Sequence, residues 1–271
     1  MSSDEKVVLA IADTHVLSKV ALMGSHVEDS QSGLVYTQNR IQETIWGEWL
    51  RMLDRVAEIG GVDVVFHLGD TCEGPDRKSY GLSPVTPNLN LQVEEAVKYM
   101  KMIKFRSAKK RIAAVLGSPY HIGENISLDA EVMSRLTDAG YDTVIDGDVA
   151  VEVSGVRFHL KHAMPVSRSV WIYKATHIAK EMLLTELQSD VWGKFDIILR
   201  GHVHTFMGVD YTHSTGYVLP GWKGRDLFAK KRTYGNPHLG YMLFFCDNGR
   251  WSREKHIFEL IGDHSIKSVR W

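Results

Sequence analysis

Val7-Val8-Leu9-Ala10-Ile11-Ala12-Asp13-Thr14-His15 is an unbroken apolar run that stops on a carboxylate and an imidazole. Such a run predicts a strand buried on both faces, the kind found in a parallel sheet with helical cover. The chain then repeats the rhythm. From about Gln38 to Ile59, Ile41, Ile45, Trp49 and Leu53 fall on one helical stripe, closed by Gly60-Gly61. Val62 to Leu68 predicts a second buried strand running into Gly69-Asp70. A helix over about Val93 to Arg106 leads to a third strand, Ile112 to Leu116, which ends on Gly117. This alternation predicts an α/β fold with a parallel sheet at its centre.

Beyond a helix near Ser127 to Ala139 the pattern turns to hairpins. Val149 to Glu152 and Val156 to His162 flank a turn at Ser154-Gly155, and a helix over about Val170 to Leu187 precedes the strand Asp196 to Leu199. The last third is richer in strands: Phe206 to Tyr211, Tyr217 to Leu219, Tyr241 to Cys246, and one around Lys255 to Leu260 after the turn Asp247-Asn248-Gly249. No repeat, low-complexity tract or linker divides the 271 residues, so one domain with two sheets is expected over residues 1–271.

A formal net charge of -1 argues against strong nonspecific attraction to nucleic acid. Cys72 and Cys246 lie outside any CxxC spacing, which excludes a zinc knuckle and favours a reducing compartment. The first residues lack a basic region, and no apolar stretch approaches the roughly 18–20 residues that span a bilayer. A cytoplasmic location is expected.

Several of the expected strands end on a metal-compatible residue: Asp13, Asp70, His162 and His202. In α/β architectures the carboxyl ends of strands are where ligands bind, so these side chains converge in one crevice. Asp13 and His15 are two apart and can point to one side of an extended segment, as can His202 and His204 about Val203. Mixed Asp and His donors suit manganese first, with iron, zinc or nickel as alternatives, better than calcium or magnesium. Strand parity separates two histidines. His162 continues the apolar row of Val156, Phe158 and Leu160, whereas His159 sits among Arg157 and Lys161 and reads as a surface residue.

Asp13/His15, Gly69-Asp70, His162 and Gly201-His202-Val203-His204 together resemble the calcineurin-like metallophosphoesterase family, from about residue 7 to 205. The resemblance implies a four-layer α/β/β/α sandwich with two mixed sheets and a dinuclear metal centre with a bridging hydroxide. It implies that Asp13, His15, Asp70 and His204 hold one cation, and Asp70, His162 and His202 the other, with Asp70 also catalytic. The family's third motif, Gly-Asn-His-Asp/Glu, is here Gly117-Ser118-Pro119-Tyr120-His121. Three readings follow. Ser118 ligates weakly or holds a metal-bound water, His121 reaches the second metal, or His121 polarises phosphate or protonates the leaving group. The third is preferred for His121.

The implied activity is hydrolysis of a phosphate ester, a phosphodiesterase or nuclease before a phosphomonoesterase, with a non-catalytic scaffold of the same fold as the third possibility. Trp222, Lys223 and Arg225, in an aromatic and basic loop, are candidates for stacking bases or holding phosphates of a nucleotide or nucleic acid. Arg200, next to Gly201, is a further candidate phosphate contact.

Overall fold

The computed structural model describes residues 5–75, 80–118, 127–163, 174–225, 237–258 and 260. In chain order these form β1 (Lys6–Ile11), β2 (His26–Asp29), β3 (Leu34–Thr37), α1 (Arg40–Glu58), β4 (Val64–His67), α2 (Leu89–Lys101), β5 (Arg111–Val115), α3 (Leu128–Asp138) and β6 (Asp142–Asp146). There follow β7 (Asp148–Val153), β8 (Val156–Lys161), α4 (Lys174–Leu187), α5 (Ser189–Trp192), β9 (Ile197–Arg200), β10 (Met207–Asp210), β11 (Thr215–Val218), β12 (Leu239–Asp247) and β13 (Arg250–Phe258).

The larger sheet has the order β13-β12-β1-β4-β5-β6, parallel from β1 to β6 and antiparallel at β12 and β13. The second has the order β10-β11-β9-β8-β7, with β9 parallel to both neighbours and hairpins at its flanks. Both sheets are mixed. Their alternating side chains sort into three apolar layers. Val7, Leu9 and Ile11 pack with Ile45 and Trp49 of α1 on one face of the larger sheet. Val8 and Ala10 face the second sheet, meeting Phe158, Leu160 and Leu199. Ile198 and Val218 on the far face of the second sheet pack with Ile178 and Met182 of α4. Helix, sheet, sheet and helix are therefore four successive layers.

Between the sheets Phe158 meets Phe66 and Phe244 edge-on, at centroid distances of 5.0 and 5.5 Å. Such pairs add about 0.5–1.5 kcal/mol each to the burial of their area.

Capping explains where the helices begin. Asn39 accepts from the backbone of Ile41 and Gln42, while the Gln42 side chain accepts from the Asn39 N–H, a capping box that starts α1. Asn88 starts α2 at Leu89, earlier than its apolar stripe indicates. That helix stops at Lys101, not near Arg106, because Lys104 and Arg106 bond to the backbone of Val62 and leave the helix. The β2–β3 hairpin and β6 are additions to the expected set. Their residues alternate between exposed and covered, or stay exposed, so no apolar run marks them. The helix expected from Val170 begins at Lys174 within the described residues. Among those residues no helix is long and apolar enough to cross a membrane.

Candidate metal centre

Parallel β1 and β4 leave the larger sheet side by side, and their loops stay zipped together. The N–H of Asp13 donates to the carbonyl of Gly69, and that of His15 to Asp70. Asp13, His15, Asp70, His202 and His204 adopt left-handed backbone, with φ of 53°, 41°, 51°, 70° and 52°. For residues with a Cβ this conformation costs on the order of 1–3 kcal/mol each and persists only where the surroundings enforce it. The pairing of side chains two apart thus has a different origin from the extended segment expected. Left-handed turns swing them to one side.

Two donor groups result, Asp13/His15/His204 and Asp70/His162/His202, each with its ligand atoms within 4.8 Å of one another. In the first, His15 Nε2 and His204 Nε2 are 3.3 Å apart, and Asp13 Oδ1 is 3.2 Å from His204 Nε2. In the second, His162 Nε2 lies 3.2 Å from both His202 Nδ1 and Asp70 Oδ2. That same Asp70 Oδ2 is 3.9 Å from His15 Nε2, so the carboxylate stands between the groups. Donors about 2.1 Å from a shared cation are about 3.0–3.4 Å from each other at tetrahedral or octahedral angles, so these separations fit a divalent metal in each group.

The electrostatics agree with sites built for cations. Burial acts to raise the Asp13 carboxyl, but the His204 imidazole outweighs it and holds the group down at about 2. Burial opposes the His162 imidazolium, yet Asp70 beside it pushes the group up to about 10. His202 is pushed down, by burial and then by the charge of His162. A cation in either group would take the place of these shared protons.

Residues around the donors fix their orientation. His162 Nδ1 donates to the Leu68 carbonyl at 2.6 Å, and the His202 N–H donates to Asp13 Oδ2 at 2.9 Å. Ser118 donates to Asp70 twice, from its N–H at 2.7 Å and from Oγ at 3.1 and 3.2 Å to the two oxygens. Asp129 accepts from Thr71 N and Oγ1 and from Gly117 N, tying two loops to the start of α3. Asp129 and Glu73, buried behind His15, escaped the sequence reading. One lies in the first turn of a helix and the other in a polar loop, and no motif spacing marks either. His121 lies outside the described residues.

Other expected contacts are not brought to the site. Arg200 lies on the opposite face of β9, fully buried, with Nη2 3.0 Å and Nε 3.2 Å from Glu181 Oε2 of α4. Leu199 takes the inward position, so by parity Arg200 faces α4 and points away from both donor groups. His159 shares that face. It is buried against Phe195, Asp148 and Arg200, not on the surface, because α4 and α5 cover the sheet there. Burial, then the Arg200 charge, pushes His159 down to about 4. Trp222 is fully buried against Trp49 and Tyr241 and offers no face to a base. Lys223 is buried in an ion pair with Glu73. Arg225 is partly buried at the edge of the described residues.

Glu181→Ala is expected to destabilise the protein by about 3–5 kcal/mol, since it strands a buried guanidinium, while KM stays unchanged. Urea unfolding beside steady-state kinetics checks both. A raised KM at unchanged stability would return Arg200 to the substrate.

No protein-family model matches the sequence, and no curated protein does. Among solved structures the chain is similar to Vps29 with zinc from Entamoeba histolytica, at 13% identity over 93% of this chain and 98% of that one, TM-score 0.47. It is similar to an archaeal phosphodiesterase, at 12% identity over 92% and 99%, TM-score 0.48. A predicted phosphoesterase from Streptococcus pneumoniae follows, at 11% identity over 94% and 98%, TM-score 0.40. At these identities and TM-scores the likeness says nothing of activity.

Proposed function

We propose that this chain is a calcineurin-like metallophosphoesterase, a single-domain hydrolase that cleaves a phosphate ester with two divalent cations, manganese first. One observation carries the reading: two mixed Asp/His donor groups lie at adjacent strand ends with the Asp70 carboxylate between them. Asp13, His15 and His204 would hold one cation, His162 and His202 the other, and Asp70 both. Bound there, the cations lower the pKa of an attacking water and neutralise charge building on the phosphoryl group.

The protein's own groups supply order. Ser118 pins the Asp70 carboxylate from two sides, the Leu68 carbonyl fixes the His162 ring, and the left-handed turns hold the donors in place before metal arrives. His121 is the proposed proton donor to the leaving group, on its place in the sequence alone.

A cleft beside the second group is lined by Gly117, Ser118, Lys161, His162 and His202. Among the described lining residues Lys161 is the one cation, and its Nζ is 2.9 Å from Asp148 Oδ2. Beyond the two proposed cations, the described lining adds little positive charge for a second negative charge on phosphate, which favours a diester over a dianionic monoester. The burial of Trp222 removes the stacking platform expected for nucleic acid, and a small diester fits better.

Chelation is expected to abolish hydrolysis of bis(p-nitrophenyl) phosphate, and Mn(II) to restore it at two ions per chain, with p-nitrophenyl phosphate turned over more slowly. A chain that takes up two metals and hydrolyses neither ester is a scaffold, and the proposal fails.

A further inference from the structure

Behind the first donor group lies a buried ion pair with no task in hydrolysis itself. Glu73 is fully buried, and both its oxygens are 2.9 Å from Nζ of Lys223, itself only 5% exposed. The same carboxylate's Oε2 lies 3.0 Å from His15 Nδ1. Taking two charges out of water costs several kcal/mol per ion, which mutual attraction repays only in part, so stability alone is a poor reason for the pair.

The backbone presents both residues to His15. The segment after Asp70 runs alongside the one after His15, through the Val16–Cys72 bridge and the Glu73 N–H bond to Val16. Lys223 arrives on a loop whose Trp222 N–H donates to the Asp13 carbonyl and whose Gly224 N–H donates to Val20. The second group is backed differently, since His162 Nδ1 meets a neutral backbone carbonyl.

Building on the metallophosphoesterase reading, we infer that Glu73 and Lys223 are positioning residues for the Asp13/His15/His204 cation. The Glu73 carboxylate, 3.0 Å from His15 Nδ1 though off the line of a hydrogen bond, favours the proton on that nitrogen by its charge, which leaves the Nε2 lone pair for the metal and makes it a stronger donor. Lys223 balances the carboxylate, so the pair orients the ring without adding net charge.

Cobalt(II) titration of the metal-free full chain tests this, followed by calorimetry and visible absorption, independently of turnover. Glu73→Gln is expected to weaken one of two cobalt sites by about 10–100-fold and leave the other at its wild-type affinity. Because that variant strands Lys223, the paired Glu73→Gln/Lys223→Met variant is made as well. It is expected to melt close to wild type and to show the same one-site defect. Unchanged affinity at both sites, or equal weakening of both, overturns the assignment. Absence of cobalt uptake by the wild type overturns the phosphoesterase reading itself, and this inference with it.

Discussion

Asp70→Asn is expected to lower kcat/KM on bis(p-nitrophenyl) phosphate by about a thousandfold or more, on the order of 4 kcal/mol of transition-state stabilisation. The substitution keeps the side chain's size and can still accept the Ser118 N–H, so its effect is electrostatic. It removes the negative charge standing 3.2 Å from His162 Nε2 and 3.9 Å from His15 Nε2, and with it the group proposed to serve both cations. Metal content should fall below two per chain while the far-ultraviolet circular dichroism is retained.

The metal-free protein offers a separate readout of the same contact. Asp70 raises His162 from an ordinary value of 6.5 to about 10. Protonation of His162 therefore contributes stability that is complete below pH 6.5 and is lost as pH rises through about 10. Asp70→Asn lacks this contribution, so wild type and variant should differ in urea midpoint at neutral pH and converge towards pH 10. Parallel curves across that window would show that Asp70 and His162 do not share a proton.

Gly117→Ala should harm the protein more than any other single added methyl group at the site. A Cβ there would lie 2.2 Å from Asp70 Oδ1, 2.3 Å from Asp70 N and 2.9 Å from Asp129 Oδ2. None of these atoms can withdraw cheaply. Asp70 N belongs to a left-handed turn, and Asp129 bonds Thr71 as well as Gly117 itself. Overpacking a tight site costs about 1–3 kcal/mol and sometimes more, and the upper end is expected here. The displaced Asp70 should also lose cobalt at the His162/His202 group. Gly47→Ala is the control: it lies inside α1 with nothing within 4 Å of its Cβ and should stabilise by about 0.5–1 kcal/mol. Wild-type urea midpoint and metal content in Gly117→Ala would show that the glycine is not a contact between the Asp70 loop and Asp129 of α3.

Much of the layout was legible in the chain because hydrophobic periodicity is a local property. The runs at Val7–Ala12 and Ile112–Leu116 are apolar on both faces, and Val62–Leu68 nearly so apart from Asp63 and His67, because parallel strands are covered on both sides; all three contribute strands of the larger sheet. The β2–β3 hairpin, exposed through much of its length, carries no such signature. Parity likewise separated His162 from His159, since a strand alternates whatever its surroundings.

The sequence by itself determined which residues share a face, where apolar strands end and which metal-compatible side chains stand at those ends. Only the tertiary structure decided what covers each face. Arg200, His159, Trp222 and Lys223 read as surface or substrate residues until α4, α1 and Glu73, distant in the chain, close over them. The same holds for the left-handed turns at Asp13, His15, Asp70, His202 and His204, which contacts between separate loops impose against local preference. Burial and backbone strain are sums over long-range neighbours. Periodicity reports only what a residue and its near neighbours in the chain are.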